Sequence, residues 1–202
     1  MLVSVIVYGL ATLVAALLCA VAGLPSLFTP PAEGTLGPTL VIAVALAALV
    51  VLGGRRLERF PWYARMADVL REPVRLLLGP RSGAPEQFLV ALSSAMGEET
   101  FFRGFCQPGL ARLLAKALDP GIATGLAILV TAFSFMLLHP PWKKELRPWT
   151  VFALLMGISW GALAYASGSL LGPVLSHFLV NFLNLRRLVA TPGHVARDSE
   201  RC

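Results

Sequence analysis

Uncharged runs alternate with charged interruptions along this chain, at a spacing that predicts membrane-crossing helices. Residues 2–22 form an uncharged run of about the length needed to cross a bilayer. A signal peptide would have a basic start and a shorter apolar stretch, so the run reads as a span. Residues 24–38 hold Pro25, Pro30, Pro31 and Pro38 and read as a turn-rich loop without Lys or Arg. Residues 39–52 are apolar and give the shortest candidate span, long enough to cross if Leu36 and Gly37 belong to it. Residues 86–118 predict a long helical stretch, kinked or broken at Pro108-Gly109. Residues 121–138, 148–166 and 174–185 predict three more spans, and Gly168 to Pro173 breaks the chain between the last two. The pattern thus predicts six spans and an all-α, polytopic transmembrane bundle. It forms a single domain over residues 1–189, with a flexible tail over 190–202.

Residues 53–85 differ in character. They carry seven arginines, while Met66, Val69, Leu70, Val74 and Leu77 recur close to helical spacing. Phe60, Trp62 and Tyr63 add interfacial aromatics, so the stretch reads as amphipathic and lying on the headgroups, interrupted by Pro61 and Pro73. A plain solvated loop is the competing reading.

Composition strengthens the membrane reading. The 202 residues are 56% hydrophobic and only 14% charged, against about 25% charged in soluble domains. The net charge of +6 therefore reports topology and does not point to nucleic acid. Basic residues concentrate after span two, at Lys143, Lys144 and Arg147, and in the tail, whereas only Arg112 and Lys116 lie near a loop on the other side. This asymmetry puts both termini in the cytoplasm, with the bacterial inner (plasma) membrane as the expected location. Cys19, Cys106 and Cys202 are too scattered for a disulfide framework or a metal clip.

Few polar groups remain within the spans. Met96-Gly97-Glu98-Glu99-Thr100-Phe101-Phe102-Arg103-Gly104 places three ionisable groups in an apolar run, each costing on the order of 3 kcal/mol at the bilayer centre on insertion scales. On a helix Glu99 and Arg103 are i,i+4 neighbours in the favourable order. Glu98 lies about 100° round the helix without a local partner. His139 ends one span four residues after Phe135, and His177 and Asn181 share a face of another, with Asn184 nearby. His194 lies in the tail and reads as solvated. A desolvated carboxylate can act as a base toward water, a histidine can share that water, and an imidazole with a carboxamide can donate to an oxyanion. Those types suit amide hydrolysis. Ser134, Ser159 and Ser176 read as packing residues, as do the small-residue faces Gly121-x-x-x-Gly125 and Gly157-x-x-x-Gly161.

Glu98-Glu99-x-x-x-Arg103, Phe135-x-x-x-His139 and His177-x-x-x-Asn181 together resemble the three signature motifs of the CAAX-protease and bacteriocin-processing (CPBP, Abi) family of intramembrane proteases. The resemblance covers about residues 86–185. It implies that Glu98 and His139 activate water, that His177 and Asn181 form the oxyanion site, and that Glu99 and Arg103 brace it. It implies no cofactor if the protease is of the glutamate type. One Glu and two His could instead hold Zn2+, although no H-E-x-x-H pair accompanies them. The implied partners are the bilayer and a membrane-anchored protein or peptide substrate, either prenylated or, as in the sorting-type members called myxosortases, a C-terminal anchor. Two other classes compete: a proton or ion transporter using the same Glu and His set, and a non-catalytic scaffold.

One mismatch needs a structural answer. At ~1.5 Å per residue, His139 lies ~27 Å from the outer end of its span and His177 only ~6–10 Å from that of its own. An irregular Gly168 to Pro173 segment buried in protein would let them approach.

Overall fold

The computed structural model describes residues 1–24, 29–79, 82–139 and 142–190. Every regular element among them is helical: α1 (Leu2–Ala22), α2 (Leu36–Leu57), α3 (Pro61–Leu78), α4 (Ala84–Glu99), a π-helical segment (Thr100–Cys106), α5 (Gln107–Leu114), α6 (Pro120–Leu137), a short 3-10 turn (Lys144–Leu146), α7 (Arg147–Ser167) and α8 (Leu171–Ala190). Four helices among the described residues are long and apolar enough to cross a membrane: α1, α2, α6, and α7 with its leading turn. The two other expected spans carry the motif charges of α4 and the His, Asn and Arg residues of α8. The chain is an integral membrane protein.

Helix ends follow local chemistry. Asp119 caps α6 by accepting from the Gly121 and Ile122 N–H groups, with Pro120 in the first turn. Gly23, at φ 59°, closes α1 in the left-handed conformation, and Arg112 donates to the Ala22 and Gly23 carbonyls at 2.8 and 3.1 Å. α2 is longer than residues 39–52 at both ends: it starts at Leu36 and runs on through Gly53-Gly54 to Leu57, with Arg55 and Arg56 in its last turn, where cations suit the exposed carbonyls. α8 likewise begins at Leu171 and ends at Ala190, outside the expected 174–185 at both ends. The rest of the expected tail, including His194 and Cys202, lies outside the described residues, as do Pro25, Arg81 and Pro140-Pro141.

Pro108-Gly109 neither breaks nor ends the long helix, which runs from Ala84 to Leu114 without interruption. Pro108 has no N–H to donate, and its ring crowds the preceding turn. The helix accommodates it by widening to π geometry over Thr100–Cys106, just before it. Pro73 also lies inside a helix, and α3 is continuous through it, with Pro61 in its first turn.

α8 sits against α2, α3, α4 and α7, while α1 packs on α4 and α6 on α7. The buried core joins Phe102, Phe135, Met156, Trp160 and Val180. Gly157 is a close-approach point: a Cβ there would meet the Ala132 Cβ on α6 at 3.0 Å. At Gly161 a Cβ would meet Gln107 Oε1 at 2.7 Å. The α7–α8 corner is shorter than the expected Gly168 to Pro173 break. It comprises Gly168, at φ 64°, and the buried Ser169 and Leu170. Ser169 Oγ donates to the Thr29 carbonyl at 2.8 Å and the Ala32 N–H donates to the Ser167 carbonyl at 2.9 Å, pinning the corner beneath the α1–α2 connection.

Candidate active site

The motif helix, α6, α7 and α8 bring their polar groups to one cavity of about 610 Å3. Glu98, His139, His177 and Asn181 all line it, together with Tyr8, Ser94 and Asn184. On α8, His177, Asn181, Asn184 and Leu188 fall at i, i+4, i+7 and i+11, so one helical stripe faces the cavity.

Glu99 is fully buried and is the hub of the polar network. Its Oε1 accepts from Arg103 Nη1 at 3.2 Å and from His177 Nδ1 at 2.8 Å. Arg103 also donates through Nη2 to the Gly157 carbonyl at 3.2 Å, and its guanidinium lies 4.5 Å from the Phe135 ring centroid. One turn on, Gln107 donates to the Gly161 carbonyl at 3.0 Å. The small-residue face of α7 therefore exposes backbone acceptors as well as space. Without side chains there, the guanidinium and carboxamide of the motif helix reach the α7 main chain.

The hydrogen bonds fix the histidine tautomers. A carboxylate oxygen only accepts, so His177 Nδ1 carries the proton shared with Glu99. That turns Nε2 toward Glu98, whose Oε2 lies 3.9 Å away, too far for a direct hydrogen bond. Trp160 stacks on the imidazole at 4.2 Å between centroids and anchors through its indole N–H to Ser176 Oγ at 3.0 Å. His139 Nδ1 donates to the Phe135 carbonyl at 2.9 Å, which leaves its Nε2 as an acceptor.

The two histidines line the same cavity without touching. The Phe135 ring neighbours both, 4.8 Å from the His139 centroid and 6.1 Å from that of His177. Among the described residues, no hydrogen bond or ion pair joins His139 to Glu98. Asn181 donates to Ser94 Oγ at 3.1 Å, which orients the carboxamide and leaves one N–H uncommitted. Glu98, with a side chain 20% exposed, takes no part in the Arg103 pair, in contrast to Glu99.

Sequence reasoning missed Tyr8. Its hydroxyl is directed at Glu98 from α1, where the Tyr8 backbone packs on Gly97 so closely that a Cβ there would sit 3.1 Å from the Tyr8 carbonyl oxygen. The only available signal was one polar-tipped residue in the uncharged run of residues 2–22, which does not identify a partner. The role of α3 was missed in the same way: Met66, Leu70, Val74 and Leu77 form a wall of the cavity.

Residues 80–183 match the family model described as type II CAAX prenyl endopeptidase, Rce1-like. The chain belongs to this Rce1-like family. The match covers just over half the chain and includes all three motifs, in agreement with the resemblance read from them. No curated protein and no solved structure matches the chain at a significant level. The Rce1-like family is one of CAAX-type intramembrane proteases, which fits the apolar helices and a protein substrate in a membrane setting. Among the described residues, no three His, Cys, Asp or Glu side chains converge as a metal-ligand set.

Proposed function

We propose that this Rce1-like chain is an endopeptidase that hydrolyses a peptide bond in a membrane-anchored protein or peptide, with Glu98 as the base toward water. The observation that carries this reading is the contrast between the adjacent glutamates. Glu99 is fully buried and committed to Arg103 and His177, while Glu98 opens on the cavity opposite His177 Nε2. A carboxylate that is not committed to a guanidinium and opens on a cavity can take a proton from a nucleophilic water held there.

The rest of the cavity supplies complementary groups. His139 Nε2 is an acceptor and can share the water's proton with Glu98. His177 can donate from Nε2 only when doubly protonated, because Nδ1–H is already given to Glu99. In that form it and the Asn181 N–H can both donate to the oxyanion of a tetrahedral intermediate. Loss of a peptide bond then needs a proton on the departing amine, which Glu98 holds after accepting it from water.

Cleavage of a quenched, farnesylated CAAX peptide by the purified protein in detergent, lost in Glu98→Gln, is the direct test. Ion flux in proteoliposomes without cleavage would replace this reading with transport. A chelator leaves turnover unchanged if the carboxylate acts without metal. Loss of activity restored by Zn2+ would make the site metal-dependent. Asn181→Ala should lower kcat about 10²–10³-fold, the usual loss for one oxyanion donor, with little change in KM, because the charge it meets exists only during reaction. Unchanged kcat with a raised KM would show that this face of α8 grips substrate instead.

The same reading places α4 with its π-helical continuation, and α8, as inner crossings shielded by the four apolar ones, giving six spans, with α3 at the headgroup level. Both termini then face the cytoplasm of a bacterial cell, following the basic loops. Reporter fusions should place the N-terminus, Lys143 and the C-terminus on the cytoplasmic side. A periplasmic signal at residue 58, between α2 and α3, would overturn the orientation.

A further inference from the structure

Arg71 stands apart from the other arginines of residues 53–85. It lies on α3, lines the same cavity as Glu98 and His177, and is 8% exposed. Its Nη1 pairs with Asp68 one turn earlier. Its Nε is buried and has no hydrogen-bond acceptor. No acceptor is seen for Nη2 among the described residues either. Nε–H and the neighbouring Nη2–H form the side edge of the guanidinium, one of the edges that takes a carboxylate through two parallel hydrogen bonds. A buried arginine with that edge unpaired costs free energy unless a ligand completes it. Arg187, at the same cavity, also has buried guanidinium nitrogens without a hydrogen-bond partner, but its side chain is 20% exposed against 9% for Arg71, and it faces the half-exposed carboxylate of Glu58.

We propose that Arg71 is a substrate-binding residue whose Nε/Nη2 edge receives the free C-terminal carboxylate of the peptide being cut. The proposal rests on the peptidase reading above and extends it to specificity. A CAAX substrate ends a few residues beyond its prenylated cysteine, so its terminal carboxylate travels with the scissile bond into the same cavity. At about 610 Å3 the cavity is within the size range of sites that enclose a short peptide or similar ligand. The carboxamide of Asn184 lies between Asn181 and Leu188 on the stripe facing this space and can pair with an extended peptide backbone. Carboxylate recognition from α3 would make the enzyme measure from the chain end, and internal sequences of the same composition would be poor substrates.

The test compares one farnesylated CAAX heptapeptide as its free acid and as its C-terminal amide, in neutral detergent. The wild-type protein should show a KM about 10–100-fold lower for the acid, in the range of a charge-assisted bidentate pair. Arg71→Gln should abolish that preference by raising KM for the acid far more than for the amide, whose carbonyl can take only one neutral hydrogen bond from the guanidinium. A wild-type melting temperature in the same detergent shows that the variant is folded. Arg71→Lys should recover part of the preference. Equilibrium binding of both peptides to a Glu98→Gln background repeats the comparison without turnover, so failure of the catalytic assignment and failure of this one can be told apart. Equal wild-type affinity for acid and amide would overturn the proposal. So would an Arg71→Gln effect of equal size on both peptides, or one seen only in nanodiscs containing anionic lipid, which would assign the guanidinium to a headgroup.

Discussion

Glu99→Gln is expected to leave little folded protein. The carboxylate is fully buried and holds two donors on one oxygen, Arg103 at 3.2 Å and His177 at 2.8 Å. The amide removes the negative charge but keeps the shape, so Arg103 is left as a buried cation with the Gly157 carbonyl and aromatic faces for company. Breaking a buried pair from one side costs about 3–5 kcal/mol, a large share of the ~5–15 kcal/mol that separates most folded proteins from unfolding. Yield and melting temperature in detergent should both fall. Removing both charges, with Glu99→Gln and Arg103→Met together, should recover part of the loss, because no uncompensated charge then remains. A Glu99→Gln protein that expresses and melts like the wild type would show that the pair contributes little to the fold.

Glu98→Gln is expected to do the opposite, with abundance and melting temperature close to wild type and turnover reduced by about 10²–10⁴-fold, the range for a positioned general base. Glu98 has no guanidinium partner to strand, and its side chain opens on the cavity. The amide keeps a carbonyl oxygen that accepts hydrogen bonds but has no basic oxygen to take a proton. Single-turnover cleavage, measured beside a thermal melt on the same preparation, separates the two glutamates. A Glu98 variant that unfolds beside a Glu99 variant that folds and is inert would exchange their roles.

Much of the site was legible because helical geometry relates nearby residues to one another. The Glu99–Arg103 pair follows from i,i+4 spacing, and the structure forms it across the start of the π-helical segment. The same spacing put His177 and Asn181 on one face, and both line the cavity. Length and apolarity were enough for α1, α2, α6 and α7. The irregular, buried segment expected between the last two spans is present but shorter, Gly168 to Leu170, because α8 already begins at Leu171. The two imidazoles line one cavity and share Phe135 as a ring neighbour.

The sequence by itself determined that the chain is a helical membrane protein, where its uncharged runs lie, and which polar groups share a helix face. Only the tertiary structure decided which faces meet: that Glu99 rather than Glu98 holds His177, that Tyr8 of α1 reaches Glu98, and that α3 walls the cavity. The physical reason is the solvent. In water, an apolar stripe marks the side of a helix that faces the core. In lipid, the outer surface is apolar too: α1 exposes Leu2, Val3, Leu10 and Leu17 and buries Ala15 and Cys19. Hydrophobic periodicity then cannot distinguish a lipid-facing side from a buried one, and neighbours are selected by close packing and by the pairing of a few polar groups, both of which depend on residues far apart in the chain.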